Sequence, residues 1–413
     1  MNKPKIRFKG FEGEWKEMQF EVAFEYQRNN SLSRAELSDE GIVANIHYGD
    51  VLIKYGECLD VSKDVLTYVK DKKISMALYK KGALRNGDVI FADAAEDNTV
   101  GKCTEVICEE NVCIVSGLHT IACRPQVEIV ERYLGYSLNS PSFHNQLLPH
   151  IQGTKISSIS KNALSSTSIS LPSLPEQRAL ASYFTSLDAQ IAASTSRLSS
   201  LKQIKAASLL NMFPQKGEMV PRVRFKGFQG EWVRQRLGDI SASFSGGTPA
   251  VSVSDYYGGN IPFIRSGEIH ENRTQLYITQ AGLNNSSAKI VEKGTILYAL
   301  YGATSGDVGI SKLRGAINQA ILAIEPTKDI DNFFLAGFLQ SYKNRIINEL
   351  LQGGQGNLSG SLVKKILLAI PSLSEQRAIA SYFTALDAQI TLHRERLEKL
   401  KQIKAACLEK MFA

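Results

Sequence analysis

The residue types that most often carry chemistry are scattered along this sequence of 413 residues. Five of the six cysteines lie between Cys58 and Cys123, which leaves a zinc site and reduced core thiols as alternatives. The absence of any C-x-x-C pair favours reduced thiols, as expected for a chain of the cytoplasm. The histidines show no metal-ligand spacing, and His119 is predicted to be a core residue. We therefore expect no bound metal.

Motifs for phosphate binding and methyl transfer are also missing. The chain has no Pro-Pro dipeptide, so it lacks the [DNS]-P-P-[FYW] run of adenine amino-methyltransferases, and it has no G-x-x-x-x-G-K-[ST] loop. The glycines from Gly354 to Gly360 approach G-x-G-x-x-G, but their spacing is one residue too long and they follow a helical pattern. A surface turn is the favoured interpretation, and an approach to a phosphate backbone is the alternative. We expect a chain that is not catalytic by itself, with an unrecognised enzyme site as an alternative.

Composition describes a folded protein of two or three domains. The chain is 43% hydrophobic and 22% charged, which excludes an intrinsically disordered or collagen-like polypeptide. No apolar run approaches the roughly 18 residues of a membrane span, and the N-terminus lacks the apolar centre of a signal peptide. Cytoplasmic localisation is the expectation.

Internal repetition is the strongest signal in the sequence. Residues 4–15, PKIRFKGFEGEW, return at 221–232 as PRVRFKGFQGEW. Residues 171–213 return at 370–412, and roughly two-thirds of the paired positions are identical. The chain is therefore a duplicated framework that carries two diverged inserts.

The longer repeated block predicts a helix in each copy. Ser173-Leu-Pro-Glu176 and Ser372-Leu-Ser-Glu375 fit the S-x-x-E capping box, and apolar residues follow at spacings of three and four. Each helix, over 176–212 and 375–412, would be about 55 Å long. Each could pack on its own half, but the duplication favours a coiled-coil-like pair. The residues predicted to pack the pair are Leu180, Phe184, Leu187, Ile191, Leu198, Leu201, Ile379, Phe383, Leu386, Ile390, Leu397 and Leu400.

The inserts have the patterns of mixed α/β domains. Short apolar runs bounded by Gly, Asn and Asp predict strands at 89–92 and 118–123 in the first insert and at 261–265, 295–300 and 320–324 in the second. We expect two copies of one fold, with boundaries at 1–170, 171–213, 214–232, 233–369 and 370–413.

The framework motifs identify a family resemblance. A variable domain that ends in L-P-S-L-x-E-Q-R-A-[LI]-A, followed by a long helix with L-D-x-Q-I, occurs twice and covers the whole chain. This arrangement resembles the specificity subunit of a Type I restriction-modification system. Four short segments of the inserts agree with this resemblance: His47-Tyr-Gly-Asp50, Phe244-Ser-Gly-Gly-Thr-Pro249, Ile261-Pro-Phe-Ile-Arg265 and Asn318-Gln-Ala-Ile321.

The resemblance implies a fold and a set of partners. The fold would be α+β, with tandem target-recognition domains at 1–170 and 233–369 separated by two long antiparallel helices with pseudo-two-fold symmetry. Each recognition domain would read one half of a bipartite, asymmetric site in double-stranded DNA. The helices would set the spacing and dock methyltransferase subunits, expected to be two, and restriction subunits could join them. S-adenosylmethionine, ATP and Mg²⁺ would serve those partners, with no cofactor on this chain. The alternative is a coiled-coil scaffold whose inserts bind proteins.

Candidate DNA contacts follow from residue type and loop position. Arginine, asparagine and glutamine read bases, whereas lysine and serine hold phosphates. The basic residues of the first insert could contact DNA or could simply form a solvated surface, and the sequence favours neither. The candidates of the second insert lie in or beside predicted loops. The candidates are Lys70, Lys72, Lys73, Lys80, Lys81, Arg85, Arg265, Arg273, Tyr301, Thr304, Ser305, Lys312, Arg314, Gln355 and Asn357.

Net charge is a poor guide to these surfaces. The chain carries +7 overall, but the first insert, residues 16–170, has 16 basic and 20 acidic residues and a charge of −4. The second insert, residues 233–369, has 13 basic and 10 acidic residues and a charge of +3. DNA binding must therefore depend on local clusters, such as the one from Lys70 to Arg85, and on the basic framework.

Overall fold

The computed structural model describes residues 3–109, 112–153, 155–215, 217–343 and 358–413. The chain forms two compact units, one of Met1–Thr195 with Glu395–Ala413 and one of Ser196–Arg394. Each unit contains one insert, the first half of one long helix and the second half of the other.

The first unit is built from short strands and helices. Its strands are β1 (Lys16–Gln19), β2 (Phe24–Tyr26), β3 (Leu37–Ser38), β4 (Ala44–Ile46), β5 (Cys58–Asp60), β6 (Tyr68–Val69), β7 (Val89–Ala92), β8 (Ala94–Ala95), β9 (Cys103–Ile107), β10 (Ile114–Ser116), β11 (Thr120–Pro125), β12 (Ser157–Ser158) and β13 (Ser168–Leu171). Its insert helices are α1 (Phe20–Ala23), α2 (Tyr48–Ile53), α3 (Lys72–Gly82), α4 (Tyr133–Leu138), α5 (Pro141–Leu147) and α6 (Lys161–Ser165), and the long helix α7 begins here (Leu174–Asn211).

Two larger sheets and the short antiparallel pair β8–β12 form the first insert. A five-stranded sheet has the order β2-β11-β7-β9-β5, and a four-stranded sheet has the order β10-β4-β6-β3. Every residue of β7 and β9 is buried, which explains why Val89–Ala92 reads as an unbroken apolar run. The predicted strand at 89–92 is confirmed, and β11 covers most of the run predicted at 118–123.

The second unit repeats this pattern with different strand lengths. Its strands are β14 (Val233–Arg236), β15 (Ser241–Ser245), β16 (Tyr257–Ile264), β17 (Tyr277–Ile278), β18 (Lys289–Val291), β19 (Ile296–Ala299), β20 (Val308–Ile310), β21 (Gly315–Ile317), β22 (Ile321–Pro326) and β23 (Leu367–Ile370). Its helices are α8 (Leu237–Ile240), α9 (Gln280–Asn284), α10 (Asn332–Ser341), α11 (Gly360–Lys364) and the long helix α12 (Leu373–Lys410).

The sheets of the two inserts share a topology. The sheet β15-β22-β19-β20 is antiparallel throughout and corresponds to β2-β11-β7-β9. In the other sheet β16 pairs parallel to β21 and antiparallel to β17, as β4 pairs with β10 and β6. The first insert adds β5 and β3 at sheet edges, and the second adds β18. The inserts are therefore variants of one fold, as the sequence predicts.

The first and last strands of each insert pair with each other, next to the start of the following long helix. β1 pairs antiparallel with β13, and β14 pairs with β23, so each insert starts and ends at the same place. Just beyond the closing strand, the buried amide of Gln177 accepts from the Val130 N–H, and the equivalent Gln376 accepts from the Asp331 N–H. Through these hydrogen bonds the two buried glutamines fix each insert to the first turn of the following helix.

The long helices run antiparallel where they meet inside each unit. In the first unit Tyr183 lies 3.4 Å from the Cys407 sulfur, and Asp188 lies 2.6 Å from Lys404, so the residue numbers rise on one helix as they fall on the other. In the second unit the equivalent contacts join Tyr382 to Ser208 at 2.9 Å and Asp387 to Lys205 at 2.6 Å. The same interhelical contacts are thus made twice.

Most of the residues predicted to pack the helix pair are buried. Ile191 and Leu400 are half-buried. The buried members are Leu180, Phe184, Leu187, Leu198, Leu201, Ile379, Phe383, Leu386, Ile390 and Leu397. Across the parts of the chain that the structure describes, no helix is both long and apolar enough to cross a membrane.

Candidate nucleic-acid interface

The basic cluster of the first unit lies on and beside α3. Asp71 caps this helix, since its carboxylate accepts from the N–H groups of Lys73 and Ile74 at 2.8 and 2.9 Å. α3 packs on β10 and β6. The helix is 11 residues long and buries Ser75, while its lysines are exposed. The predicted lysines therefore stand on one regular element.

The other two members of the cluster flank the helix. Lys70 precedes it and donates to the Ala35 carbonyl at 2.6 Å, and Arg85 is exposed after it. Among the described residues, none of the six predicted basic side chains of this cluster lies in a salt bridge. Their charges are consequently available to a polyanion.

A polar cluster that the sequence does not predict lies where several strands end. The sequence predicts His119 to be a core residue, which is wrong, because its side chain is 52% exposed and its φ of 53° places it in the left-handed region. Its Nδ1 lies 3.1 Å from the Asp93 carboxylate, and its ring meets the ring of Tyr48 edge-on. Burial raises the pKa of Asp93 above its ordinary value despite the nearby histidine. The signal available in the sequence was the His47-Tyr-Gly-Asp50 phrase, which supplies Tyr48.

Arg34 and Asp50 extend this cluster. The guanidinium donates twice to the carboxylate, with both distances 2.8 Å, and the arginine side chain remains 47% exposed. Asp50 lies in α2, whose N-cap is His47. Burial and the positive charge of Arg34 lower the pKa of His47, which favours its neutral form. A neutral ring suits the observed cap, since His47 Nδ1 accepts from the Gly49 N–H at 3.2 Å.

In the second unit Arg265 has an intramolecular partner. Its guanidinium donates to both oxygens of Glu268, at 2.9 and 3.1 Å, and also to Gln275 at 3.0 Å. Burial by itself would raise the pKa of Glu268, but hydrogen bonds from Arg265, Gln275 and Thr274 outweigh it and lower that pKa to about 2. Arg265 therefore shapes the loop in which it lies.

The remaining candidates of the second unit differ in exposure. Ser305 is buried and donates to the Leu300 carbonyl at 3.1 Å, and Thr304 is half-buried. Arg314 is exposed and paired with Glu292 at 2.9 Å. The other exposed candidates are Arg273, Tyr301 and Lys312. Gln355 and Asn357, with Gly354 and Gly356 of the glycine-rich segment, lie outside the described residues.

Metal chemistry has no candidate centre in the described parts of the chain. No group of three His, Cys, Asp or Glu side chains there could hold an ion. The cysteines are free, and burial raises the pKa of Cys103 and Cys123 far above that of an exposed thiol. These thiols are held in their neutral, unreactive form.

The surfaces can bind nucleic acid by two kinds of contact. An exposed lysine helix holds phosphates, and exposed Arg, Tyr and His side chains at strand ends offer hydrogen bonds to base edges. The structure thus defines a protein with two related α/β domains on a duplicated helical framework.

Comparison with known proteins identifies the family. The profile of the Type I restriction modification DNA specificity domain matches residues 12–203 and 229–402. The chain belongs to this family, with one specificity domain in each half. The resemblance expected from the repeated motifs is thereby confirmed, and the match favours a specificity subunit over the scaffold alternative.

Individual relatives agree with the family. A protein provisionally named the MjaX type I restriction enzyme specificity subunit of Methanocaldococcus jannaschii is 26% identical over 360 residues, which cover 84% of this chain and 81% of the relative. The crystal structure of a Type I restriction-modification S subunit from M. genitalium has a TM-score of 0.63 at 15% identity, with 100% of this chain and 99% of that chain covered. A chain from a structural study of complex assembly and conformational transition of the type I R-M system has a TM-score of 0.57 at 18% identity, with 97% of this chain and 98% of that chain covered. At these identities the two structures support the fold.

Proposed function

We propose that each of the two recognition domains reads one half of a bipartite, asymmetric DNA site, and that the long helices set the distance between the halves. The observation that carries the proposal is a framework that occurs twice in the chain and bears two different insert surfaces. The contact of Lys404 with Asp188 is repeated by Lys205 with Asp387, whereas the first insert carries −4 and the second +3. Two domains held by equivalent helix contacts but carrying different surfaces suit the recognition of two different half-sites at a fixed spacing.

The framework also offers matched surfaces for partner subunits. Ile403 on α12 and Ile204 on α7 occupy equivalent positions in the repeat, and both are exposed, by 37% and 44%. Covering an apolar side chain at the same place in both copies would favour the docking of two copies of one protein partner. We assign this role to two methyltransferase subunits, which restriction subunits could join.

Catalysis would belong to those partners. This chain lacks the methyltransferase and phosphate-loop motifs, so S-adenosylmethionine, ATP and Mg²⁺ would be bound by the other subunits. The complex would act on DNA in the cytoplasm.

Mapping of methylated adenines tests the proposal. Genomic DNA from cells with the gene should carry methylation at one bipartite, asymmetric sequence, and DNA from cells with the gene deleted but the methyltransferase gene intact should lack it. A deletion strain complemented with the full chain is the control. Unchanged methylation in the deletion strain would refute the proposal.

A further inference from the structure

The outward surface of α3 combines lysines with apolar side chains. Lys73, Met76, Ala77 and Lys80 follow the i, i+3, i+4, i+7 spacing of one helix face, opposite the buried Ser75. All four are exposed, Met76 by 38%, and the adjacent Ile74 is 45% exposed. Covering the apolar side chains of this face with a partner surface would be favourable, because it removes them from water.

The charge of this face is local and unneutralised. α3 contains four lysines and no acidic residue, although its insert carries −4 overall. Among the described residues, no carboxylate forms a salt bridge with these lysines. Charge complementarity therefore favours a polyanion as the occupant over a protein with a mixed surface.

We propose that α3 is the helix by which the first recognition domain enters the major groove of its half-site. This inference rests on the proposed function. A major groove about 12 Å wide admits an α-helix. Lys73 and Lys80 lie seven residues apart, about 10 Å along the helix axis, so both can reach phosphates while the side chains between them face the base edges. Met76 and Ala77 are the residues that select bases, through apolar contact such as that with a thymine methyl group.

The second unit places a different helix after the corresponding strand. α9 follows β17 as α3 follows β6, but α9 has only five residues and carries Gln280 and Asn284 in place of lysines. The amide of Gln280 donates to Asn284 at 2.8 Å. The groove-reading role of α3 accordingly belongs to the first domain alone, which contributes to the difference between the half-sites.

The lysines are tested by the salt dependence of binding. The full chain, assembled with its modification subunits, is titrated with duplex DNA that contains the mapped site, at several salt concentrations. The double variant Lys73→Gln and Lys80→Gln should reduce the slope of log K against log salt by about 2, since each phosphate contact contributes about 0.9. The control variant Lys54→Gln and Lys63→Gln removes two exposed lysines of the same unit outside α3 and should leave the slope unchanged. Equal slopes for the test variant and the wild type would overturn the proposal.

The base-selecting residue is tested by methylation mapping. Met76→Gln should relax or change the sequence of one half-site at one or two positions and leave the other half-site and the spacing unchanged. The unchanged half-site shows that the chain is folded and assembled. Two unaltered half-sites, or the loss of both together, would overturn the role of α3. Absence of any sequence-dependent methylation with the wild-type chain would instead refute the proposed function.

Discussion

Arg7 binds Glu176 through two parallel hydrogen bonds, with Nε 2.6 Å from one carboxylate oxygen and Nη2 2.7 Å from the other. The same guanidinium donates to the Gly13 carbonyl at 2.6 Å, so one side chain ties the repeated N-terminal segment to the first turn of α7. Arg224 and Glu375 repeat the arrangement in the second unit, at 2.7 and 2.8 Å. Glu176 and Glu375 therefore act as tertiary anchors, a role that their capping-box motif does not predict.

Loss of Arg7 should destabilise the first unit. Arg7→Ala leaves a carboxylate that is only 2% exposed without its two guanidinium hydrogen bonds, so we expect the free energy of unfolding to fall by about 3 kcal/mol. Arg7→Lys should recover only part of this loss. Lysine keeps the positive charge, but its ammonium group cannot form the two parallel hydrogen bonds.

The two tryptophans make this measurement specific to each unit. Trp15 lies in the first unit and Trp232 in the second. In denaturant unfolding followed by fluorescence, the Trp232→Phe chain therefore reports the first unit, and the Trp15→Phe chain reports the second. Arg224→Ala is the matched variant for the second unit. An unfolding midpoint for Trp15 that does not move in the Arg7→Ala chain would contradict the anchoring role.

Phe184 should be a main contributor to the helix pairing in the first unit. It is fully buried between Tyr136 and Phe412, with ring centroids 5.0 and 5.6 Å away. Phe184→Ala should therefore lower the free energy of unfolding by about 3 to 5 kcal/mol. Phe383→Ala, which removes the equivalent partner of Phe213, should have a similar effect on the second unit.

The neighbouring exposed residue provides the control for Phe184. Ser182→Ala lies on the exposed face of the same turn and should change stability by less than about 0.5 kcal/mol. Thermal or denaturant unfolding of the single-tryptophan chains measures both. Equal effects of the serine and phenylalanine variants would show that the packed ring contributes little.

The sequence predicts the framework well because its signals are local and repeated. Strands such as β7 and β19 are buried along their whole length, so they appear as continuous apolar runs. The antiparallel contact between α7 and α12 follows from two near-identical apolar seams. Because the framework is duplicated, each helix or strand pattern occurs at two equivalent places in the sequence, and each copy supports the prediction for the other.

The site is less predictable because side-chain pairing is a tertiary property. Arg265 and Ser305 have the residue types of DNA contacts, but the fold engages the first with Glu268 and buries the second. His119 has the apolar neighbours of a core residue, yet its positive φ turns it outward beside Asp93. Residue type shows which side chains are able to contact DNA. Whether such a side chain is free to do so, or is already bonded or buried within the protein, depends on the folded backbone.

Glu268 should give the second unit an acid-dependent stability. Its pKa is lowered to about 2 in the folded state, against about 4.3 in an unfolded chain. A lowered folded-state pKa means that the contribution is fully present above about pH 4.3 and is lost as the pH falls toward 2. The difference in unfolding free energy between the wild type and Glu268→Gln should therefore shrink between pH 5 and pH 3.

The pH series needs a charge-matched control. Glu292→Gln removes a carboxylate that is 67% exposed and pairs with Arg314 at the surface, so its effect on stability should be small at every pH. Unfolding is followed through Trp232 in the Trp15→Phe chain. A wild-type advantage over Glu268→Gln that stays constant from pH 7 to pH 3 would contradict the depressed pKa.

A matched shortening of both long helices should change the spacing of the DNA half-sites and leave their sequences intact. Deletion of residues 193–196 from α7 and of the equivalent 392–395 from α12 removes about one turn, or about 6 Å, from each helix. At 3.4 Å per base pair, the spacer should shorten by about one to two base pairs. The inserts keep their closing strand pairs β1–β13 and β14–β23, so the bases read should not change. Methylation mapping in cells that carry the shortened chain measures spacing and sequence together. Altered bases at an unchanged spacing would show that the helices do not set the distance.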